Sequence, residues 1–253
     1  MKDLLRLIIS NNRLKEIKKN ILKLSAKETH YINNVMRLKN GDEINIVNGE
    51  GALWKGIKSK DYFIELLEYP KPILFKEKKN ILIGIAVVVP KSGFEQILRM
   101  TTEIGVDFIQ PLYSDHQVKK LSGNNFKKER FNLILNESVE QSERLWKPKL
   151  LESISIYDWI ENFSENDFVS ISVTRINNCK SLKSWLNTQN ISKKISLNFW
   201  NVIGPEGGWS NKELEFFSSS NLPFVSLSET ILRTSTAAIY STSILNQWRY
   251  ESM

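Results

Sequence analysis

The sequence predicts an α/β protein in which a parallel β-sheet, within residues 73–253, follows a small β-rich domain at residues 1–72. The run ILIGIAVVV at 81–89 is continuously apolar and β-branched, which is typical of a strand buried on both faces of a sheet. After this run, strand and helix patterns alternate to the end of the chain. Repeated strand–helix units predict a parallel sheet with helices on both faces.

The first domain is predicted from its turns. KETHYINNVMRLKNGD at 27–42 has a short helical pattern followed by a turn, and Asn48-Gly49 is a strong hairpin signal between two strand patterns. YFIELLEY at 62–69 favours another strand. YPKP at 69–72 interrupts regular structure, so we place the domain boundary after it.

The second domain is predicted to alternate between strands and helices. Strand patterns follow at FIQPLYS (108–114), FVSISVTRI (168–176), SLNFWNVIG (196–204) and FVSLS (224–228). Two helices between the first strands are expected to bury Phe94, Ile97, Leu98, Thr101 and Ile104, and then Phe131, Ile134, Leu135, Val139 and Leu145. Later helix patterns are SLKSWLNTQ (181–189), NKELEFFSS (211–219) and STAAIYSTSILNQW (235–248).

Charge is distributed unevenly along the chain. Residues 1–79 contain 17 Lys and Arg against 10 Asp and Glu, whereas residues 80–253 contain 18 of each. The whole formal excess of +7 therefore lies in the first third. This pattern favours docking of a polyanion, and nucleic acid in particular, because no basic amphipathic helix of membrane-surface type is present.

Several classes of protein are disfavoured. Cys179 is the only cysteine, which rules out an internal disulfide or a cysteine metal site. His30 and His116 lie far apart and outside metal-ligand spacing, so we expect neither a metal nor a histidine base. No apolar run approaches the roughly 20 residues that cross a bilayer, and the first ten residues do not resemble a signal peptide. We expect a cytoplasmic protein without membrane contact.

The sequence GPEGG at 204–208 has the outline of a ligand loop. It follows a buried strand, and Ser210 and Glu213 form an S-x-x-E capping box that predicts a helix from about residue 211. Glycines permit positive φ or close backbone approach. Pro205 has no N–H and Glu206 is anionic, so the loop does not suit phosphate. Hydroxyls, amines or a cationic centre fit it better, and S-adenosyl-L-methionine carries all three.

A second segment, SLSETILRTSTAAIYS at 226–241, lies one strand–helix unit later. Its centre, residues 231–234, places apolar groups beside one cation and hydroxyls. A capped helix start accounts for the Ser and Thr residues at 234–236. It does not account for Arg233.

Five ordered motifs together resemble the RsmE-type 16S rRNA (uracil(1498)-N3)-methyltransferases of the SPOUT superfamily. They are GPEGGWS with Glu at 204–213, ILRT-x-TA at 231–237, TEIGVDFIQP at 102–111, EQSERLWKP at 140–148 and the H-x4-V-x-R-x3-G-D spacing at 30–42. The resemblance spans nearly the whole chain.

The resemblance implies a small PUA-like β-barrel followed by an α/β trefoil-knot methyltransferase domain that forms a homodimer. The implied reaction is methylation of N3 of a uridine in 16S rRNA of the 30S subunit, with S-adenosyl-L-methionine as cofactor and no metal. The implied cofactor site comprises Ile203, Gly204, Pro205, Glu206, Gly207, Gly208, Leu227, Ser228, Ile231, Leu232, Thr234 and Ala237.

The resemblance also implies roles in catalysis and RNA binding. Arg233 would stabilise charge on the uracil carbonyls, and Glu206 would steer the sulfonium or accept the N3 proton. The implied RNA contacts are Arg37, Lys39, Lys91, Gln141 and Arg144.

Two positions depart from the family pattern. Ser228 replaces a glycine, which requires a negative φ there or a more distant cofactor, and Ser235 replaces a glutamate, so this position has no proton acceptor. Two alternatives stay open: a knotted methyltransferase with another target, such as a tRNA ribose, and an RNA-binding assembly factor without catalysis.

Overall fold

A computed structural model describes residues 5–60, 62–117, 125–176, 178–191 and 196–252. It divides into two compact units. The first comprises the chain up to Lys78 together with Asn136–Lys147, and the second comprises Lys79–Leu135 and the chain from Pro148 onward. The division at residues 72 and 73 into two domains stays a prediction. Among the described residues, no helix combines the length and apolar character that a membrane crossing requires.

The first unit is built mainly on a six-stranded, largely antiparallel sheet. Its elements are β1 (Arg6–Ile8), α1 (Asn11–Lys15), β2 (Ile21–Lys23), α2 (Ala26–His30) continued by a π-helical turn at Tyr31–Val35, β3 (Glu43–Val47), β4 (Ala52–Lys60), β5 (Phe63–Leu66) and β6 (Leu74–Phe75). The strand order is β1-β3-β4-β5-β2, with β6 paired to β4. The predicted helix, hairpin and third strand are confirmed as α2, β3–β4 and β5.

The second unit contains an eight-stranded parallel sheet. Its elements are β7 (Ile81–Val88), α3 (Phe94–Ile104), β8 (Phe108–Tyr113), α4 (Asn125–Gln141), β9 (Lys149–Leu150), β10 (Ile154–Ser155), α5 (Ile156–Glu161), β11 (Asp167–Ser172), β12 (Lys180–Ser181), α6 (Leu182–Leu186), β13 (Leu197–Ile203), α7 (Asn211–Ser219), β14 (Phe224–Ser226) and α8 (Thr234–Glu251). The last turns of α4, from Asn136, belong to the first unit. The strand order is β10-β8-β7-β13-β11-β14-β12, with β9 beside β8, and every pair is parallel.

The predicted α/β class with a parallel sheet is confirmed, and β7 shows why. Every residue of β7 is buried. Ile83 and Ile85 point into one core, whereas Ala86 and Val88 point into the core on the opposite face. Two apolar faces explain why this strand has no polar alternation.

One expected helix contact is wrong. α4 ends at Gln141, so Leu145 is not on its inward face. Glu143 takes a left-handed φ of 56°, which ends the helical path two residues earlier than Leu145. Leu145 instead packs with Val47 and Leu53 in the first unit.

Glu140 is a buried carboxyl near the end of α4, within the first unit. It is 7% exposed, accepts a hydrogen bond from the Ile8 backbone N–H at 2.9 Å, and is hydrogen-bonded to Tyr31. Burial, aided by the charges of Glu137 and Glu28, raises the pKa of Glu140 to about 7. Burial together with this carboxyl raises the pKa of Tyr31 to about 12.

We predict that Glu140→Gln changes how stability depends on pH. Because the pKa of Glu140 is about 7 in the folded chain against a usual 4.5, the folded chain holds a proton that the unfolded chain releases between these pH values. The free energy of unfolding therefore falls as the pH rises through this window, by about 3 kcal/mol at most. A neutral glutamine removes this fall.

Urea denaturation at pH 5 and pH 8 measures the effect. Glu129→Gln removes a charge from an exposed position of the same helix and is the matched control. Equal pH dependence of unfolding in the Glu140→Gln variant and the parent chain would contradict the prediction.

Candidate functional site

Three neighbouring parallel strands, β13, β11 and β14, end level with one another at the carboxyl-terminal side of the sheet. Ile171 of β11 is paired with Val202 of β13 on one side and with Phe224 of β14 on the other. The segments that follow these strands therefore emerge side by side, although they are distant in sequence. Ligands of open α/β sheets bind at this edge.

A cavity of about 230 Å³ lies among these three segments. It is lined by residues 172–176 at the end of β11, by residues 203–209 around the glycine loop, and by Leu214 from α7. Around the start of α8, the lining residues are Leu227, Ser228, Thr230, Ile231, Leu232, Thr234 and Ala237. All twelve residues predicted to bind the cofactor line this cavity. Their role in binding stays a prediction, but the structure brings all of them together.

The cavity has a buried end and an exposed rim. Ile203, Thr234 and Ala237 are each less than a tenth exposed. At the rim, Ile231 is 63% exposed, and Glu206 is exposed as well. The enclosed end therefore suits a less polar part of a ligand, and the rim suits a polar part.

Two of the three glycines in the loop are required for different physical reasons. Gly208 has a φ of +75°, a conformation that side chains other than glycine rarely adopt. At Gly204 a Cβ would lie 2.9 Å from Cε2 of Trp209, so the indole occupies the space of a side chain. At Gly207 a Cβ would make only ordinary contact, at 3.6 Å from Cβ of His116.

Hydrogen bonds hold the glycine loop to both neighbouring segments. The Thr234 hydroxyl donates to the Gly204 carbonyl at 3.1 Å, and the Trp209 indole N–H donates to the Ser172 carbonyl at 2.9 Å. Nδ1 of His116 lies 3.0 Å from the Gly208 carbonyl oxygen. The loop is thus held in place by groups from β11, α8 and the segment after β8.

The predicted capping box at the start of α7 is confirmed. The Ser210 hydroxyl accepts the Glu213 N–H at 3.1 Å, and the Glu213 carboxylate accepts the Ser210 N–H at 2.7 Å. Glu213 is fully buried and also accepts the Asp115 N–H at 3.0 Å. The Ser210 hydroxyl donates to Asp115 at 2.6 Å, which chiefly holds the pKa of Asp115 below its usual value.

The two residues predicted for catalysis lie near the cavity but differ in setting. Glu206 lines it, and its carboxylate accepts the Lys91 backbone N–H at 3.3 Å. Arg233 is the exposed N-cap residue of α8, between the lining residues Leu232 and Thr234. Its guanidinium makes no hydrogen bond or ion pair with any residue that the structure describes.

The residues predicted to contact RNA are divided between the units. Arg37, Lys39, Gln141 and Arg144 belong to the first unit, and Lys91 belongs to the second. All except the half-buried Arg144 are exposed. Their contacts with RNA stay predictions.

The loop that carries Arg37 and Lys39 is fastened by Lys58. This lysine is 4% exposed, and its ammonium donates to the Leu38 carbonyl at 2.7 Å and to the Asn33 amide oxygen at 2.5 Å. Arg37 takes a left-handed φ of 55° in the same loop. The two exposed cations are therefore presented from a fixed backbone.

Both departures from the family pattern have a structural setting. Ser228 does not have a positive φ, and its hydroxyl accepts the Thr230 N–H at 3.2 Å, so a serine fits without strain. Ser235 does not line the cavity. It lies beside Gly93, in the connection after β7, where a Cβ added to Gly93 would be 3.7 Å from the Cβ of Ser235.

Sequence reasoning missed the contribution of residues 172–176, which include Arg175, and of Trp209. FVSISVTRI was identified only as a strand, and its end is a site only because β11 lies between β13 and β14. Among the described residues, no group of three or more His, Cys, Asp or Glu side chains is placed to hold a metal ion.

Comparison with known proteins gives consistent matches. Residues 76–246 match the model of an RNA methyltransferase domain, and residues 24–57 match that of an RNA methyltransferase PUA domain. Ribosomal RNA small subunit methyltransferase E of Synechocystis sp. is 30% identical, over 88% of this chain and 72% of the relative. Ribosomal RNA small subunit methyltransferase E 2 of Borreliella burgdorferi is 32% identical, over 87% and 88%.

A solved structure has the same fold. The crystal structure of ribosomal RNA small subunit methyltransferase E from Neisseria gonorrhoeae, bound to S-adenosyl methionine, aligns with a TM-score of 0.77. The alignment covers 96% of this chain and 97% of the other, at 20% sequence identity. At that identity the likeness shows the fold.

We predict that Gly204→Ala destabilises the second unit and Gly207→Ala does not. The new Cβ at residue 204 would displace the indole of Trp209, which is held by its hydrogen bond to Ser172. Overpacking of this kind costs about 1–3 kcal/mol. The midpoint of urea denaturation, followed by tryptophan fluorescence, measures the loss.

Gly207→Ala is the matched control, because its Cβ meets only ordinary contact. Equal midpoints for the two variants would show that the Trp209 ring yields freely and that the loop is not tightly packed.

Proposed function

This chain belongs to the RNA methyltransferase family, and we propose that it transfers a methyl group from S-adenosyl-L-methionine to N3 of uracil 1498 in 16S rRNA. The observation that carries this proposal is the cavity at the edge of the sheet. Every residue expected for the cofactor from the family resemblance lines it. The names of the relatives from Synechocystis and Borreliella support ribosomal RNA of the small subunit as the substrate.

The residues of the cavity fit this cofactor. Leu227, Ile231 and Leu232 supply apolar surface for a purine, and the backbone of the glycine loop supplies carbonyl and N–H groups for ribose hydroxyls. Glu206 supplies a negative charge, which suits a cationic cofactor and repels a phosphate. Pro205 removes an N–H that a phosphate would use.

When bound, the cofactor supplies a methyl group on a sulfonium, which is already a strong donor. The task of the chain is then to align N3 of the uracil and to help remove its proton. Arg233 stabilises the negative charge that develops on the uracil carbonyl oxygens, as a positioned cation does. Its guanidinium is available for this role because it has no partner among the described residues. Glu206 holds the cationic part of the cofactor or accepts the N3 proton.

The first unit binds the RNA. Its excess of positive charge and the fixed loop that carries Arg37 and Lys39 suit phosphate contacts, which set the register of the RNA. Gln141, Arg144 and Lys91 add further contacts with the RNA. In this proposal the second unit contains a trefoil knot and forms a homodimer, and the chain acts in the cytoplasm on the 30S subunit.

We predict that Arg233→Ala lowers the rate of methylation about 100-fold, the order of loss seen when one preorganised donor to a developing oxyanion is removed. Transfer of labelled methyl from S-adenosyl-L-methionine to small subunits lacking the modification measures the rate. Reverse transcriptase stops at an N3-methylated uridine, so primer extension identifies the target base and excludes a ribose product.

Two comparisons accompany this measurement. Calorimetry is expected to give a cofactor affinity for Arg233→Ala within about twofold of the parent chain, because Arg233 does not line the cavity. Arg233→Lys, which keeps the charge, is expected to retain intermediate activity. Methylation by Arg233→Ala at the parent rate would remove Arg233 from the mechanism, and no transfer by the parent chain would contradict the proposed function.

A further inference from the structure

Arg175 is a cation on the cavity that neither the sequence motifs nor the proposed mechanism uses. It lies three residues beyond the end of β11, lines the cavity, and is exposed. Its guanidinium makes no hydrogen bond or ion pair with any residue in the described part of the chain. Its charge is therefore available to a ligand in the cavity.

The backbone does not account for an arginine at this position either. Arg175 has a φ of 63°, in the left-handed region that glycine adopts most easily. A side chain there costs about 1 kcal/mol relative to a relaxed conformation. The conformation turns the chain at the end of β11, and glycine would make this turn with less strain.

Charge on the cavity is confined to two residues of opposite sign. Among the described residues that line it, only Arg175 and Glu206 carry a charge, and both are exposed. The buried end, at Ile203, Thr234 and Ala237, is uncharged. A ligand that fits this distribution has an uncharged part to bury and both an anionic and a cationic group near solvent.

We propose that Arg175 binds the carboxylate of the amino-acid tail of S-adenosyl-L-methionine, an inference that rests on the proposed function. The tail carries one carboxylate beside an ammonium and a sulfonium. A guanidinium binds a carboxylate through two parallel N–H···O hydrogen bonds, whereas Glu206 would repel it. Arg175 thus binds the anionic carboxylate of the tail, whereas Glu206 favours its cationic groups. Arg175 thereby sets the preference for a cofactor with an intact amino acid.

The test uses two ligands that differ only in the carboxylate: S-adenosyl-L-methionine and its decarboxylated form. Titration calorimetry gives the affinity of each for the full-length parent chain and for Arg175→Gln. The variant is expected to bind S-adenosyl-L-methionine about tenfold more weakly, as for a charged hydrogen bond discounted for solvent exposure. Its affinity for the decarboxylated form is expected to stay within about twofold of the parent chain.

Two further variants sharpen the result. Lys180→Ala removes an exposed cation from β12 that does not line the cavity, and is expected to bind both ligands like the parent chain. Arg175→Lys keeps the charge but not the planar fork, so its loss of affinity for S-adenosyl-L-methionine is expected to be about threefold. It also keeps the test decisive if Arg175→Gln does not fold.

Three outcomes would overturn the inference. Equal weakening of both ligands by Arg175→Gln would mean that Arg175 only shapes the cavity. Unchanged affinity for both, with weaker binding of small-subunit RNA, would assign Arg175 to the RNA. Failure of the parent chain to bind either ligand would overturn both the proposed function and the inference. In the first two outcomes the parent chain still binds S-adenosyl-L-methionine, so only the inference about Arg175 fails.

Discussion

The pairing of β11 with β13 on one side and β14 on the other is the constraint on which the candidate site depends. Ile171 is level with both Val202 and Phe224, so three segments far apart in sequence leave the sheet at one edge. A register change of one residue in β11 would turn its buried side chains to the opposite face. The two apolar cores of the second unit oppose such a change, and they thereby fix the position of the cavity.

Polar contacts then refine what the sheet positions. The Thr234 hydroxyl and the Trp209 indole join the glycine loop to α8 and to β11. The buried Glu213 fixes the start of α7, directly after that loop. These bonds hold the backbone of the loop in place, and preorganisation of a binding loop favours affinity. Arg175 and Glu206, on the exposed rim of the cavity, are available to bind the charged groups of a ligand.

Features that are local in sequence could be predicted. The apolar run at β7, the hairpin at β3–β4, the capping box at Ser210 and the glycine loop each depend on a few adjacent residues. The place of Arg175 could not be predicted, because β11 lies between two strands that follow it in sequence. Leu145 was misplaced because a left-handed residue, Glu143, follows α4. The RNA target came from resemblance to a family, since no physical pattern in the chain specifies one base.

The most direct test of the central claim is a primer-extension map of small-subunit ribosomal RNA from a strain that lacks this protein. We predict that one strong stop, at uracil 1498, disappears from the deletion strain and returns when the parent gene is restored, but not when the Arg233→Ala variant is supplied. A stop of equal strength in the deletion strain would show that another protein methylates this base, and its return with the Arg233→Ala variant would show that Arg233 is not needed for the reaction.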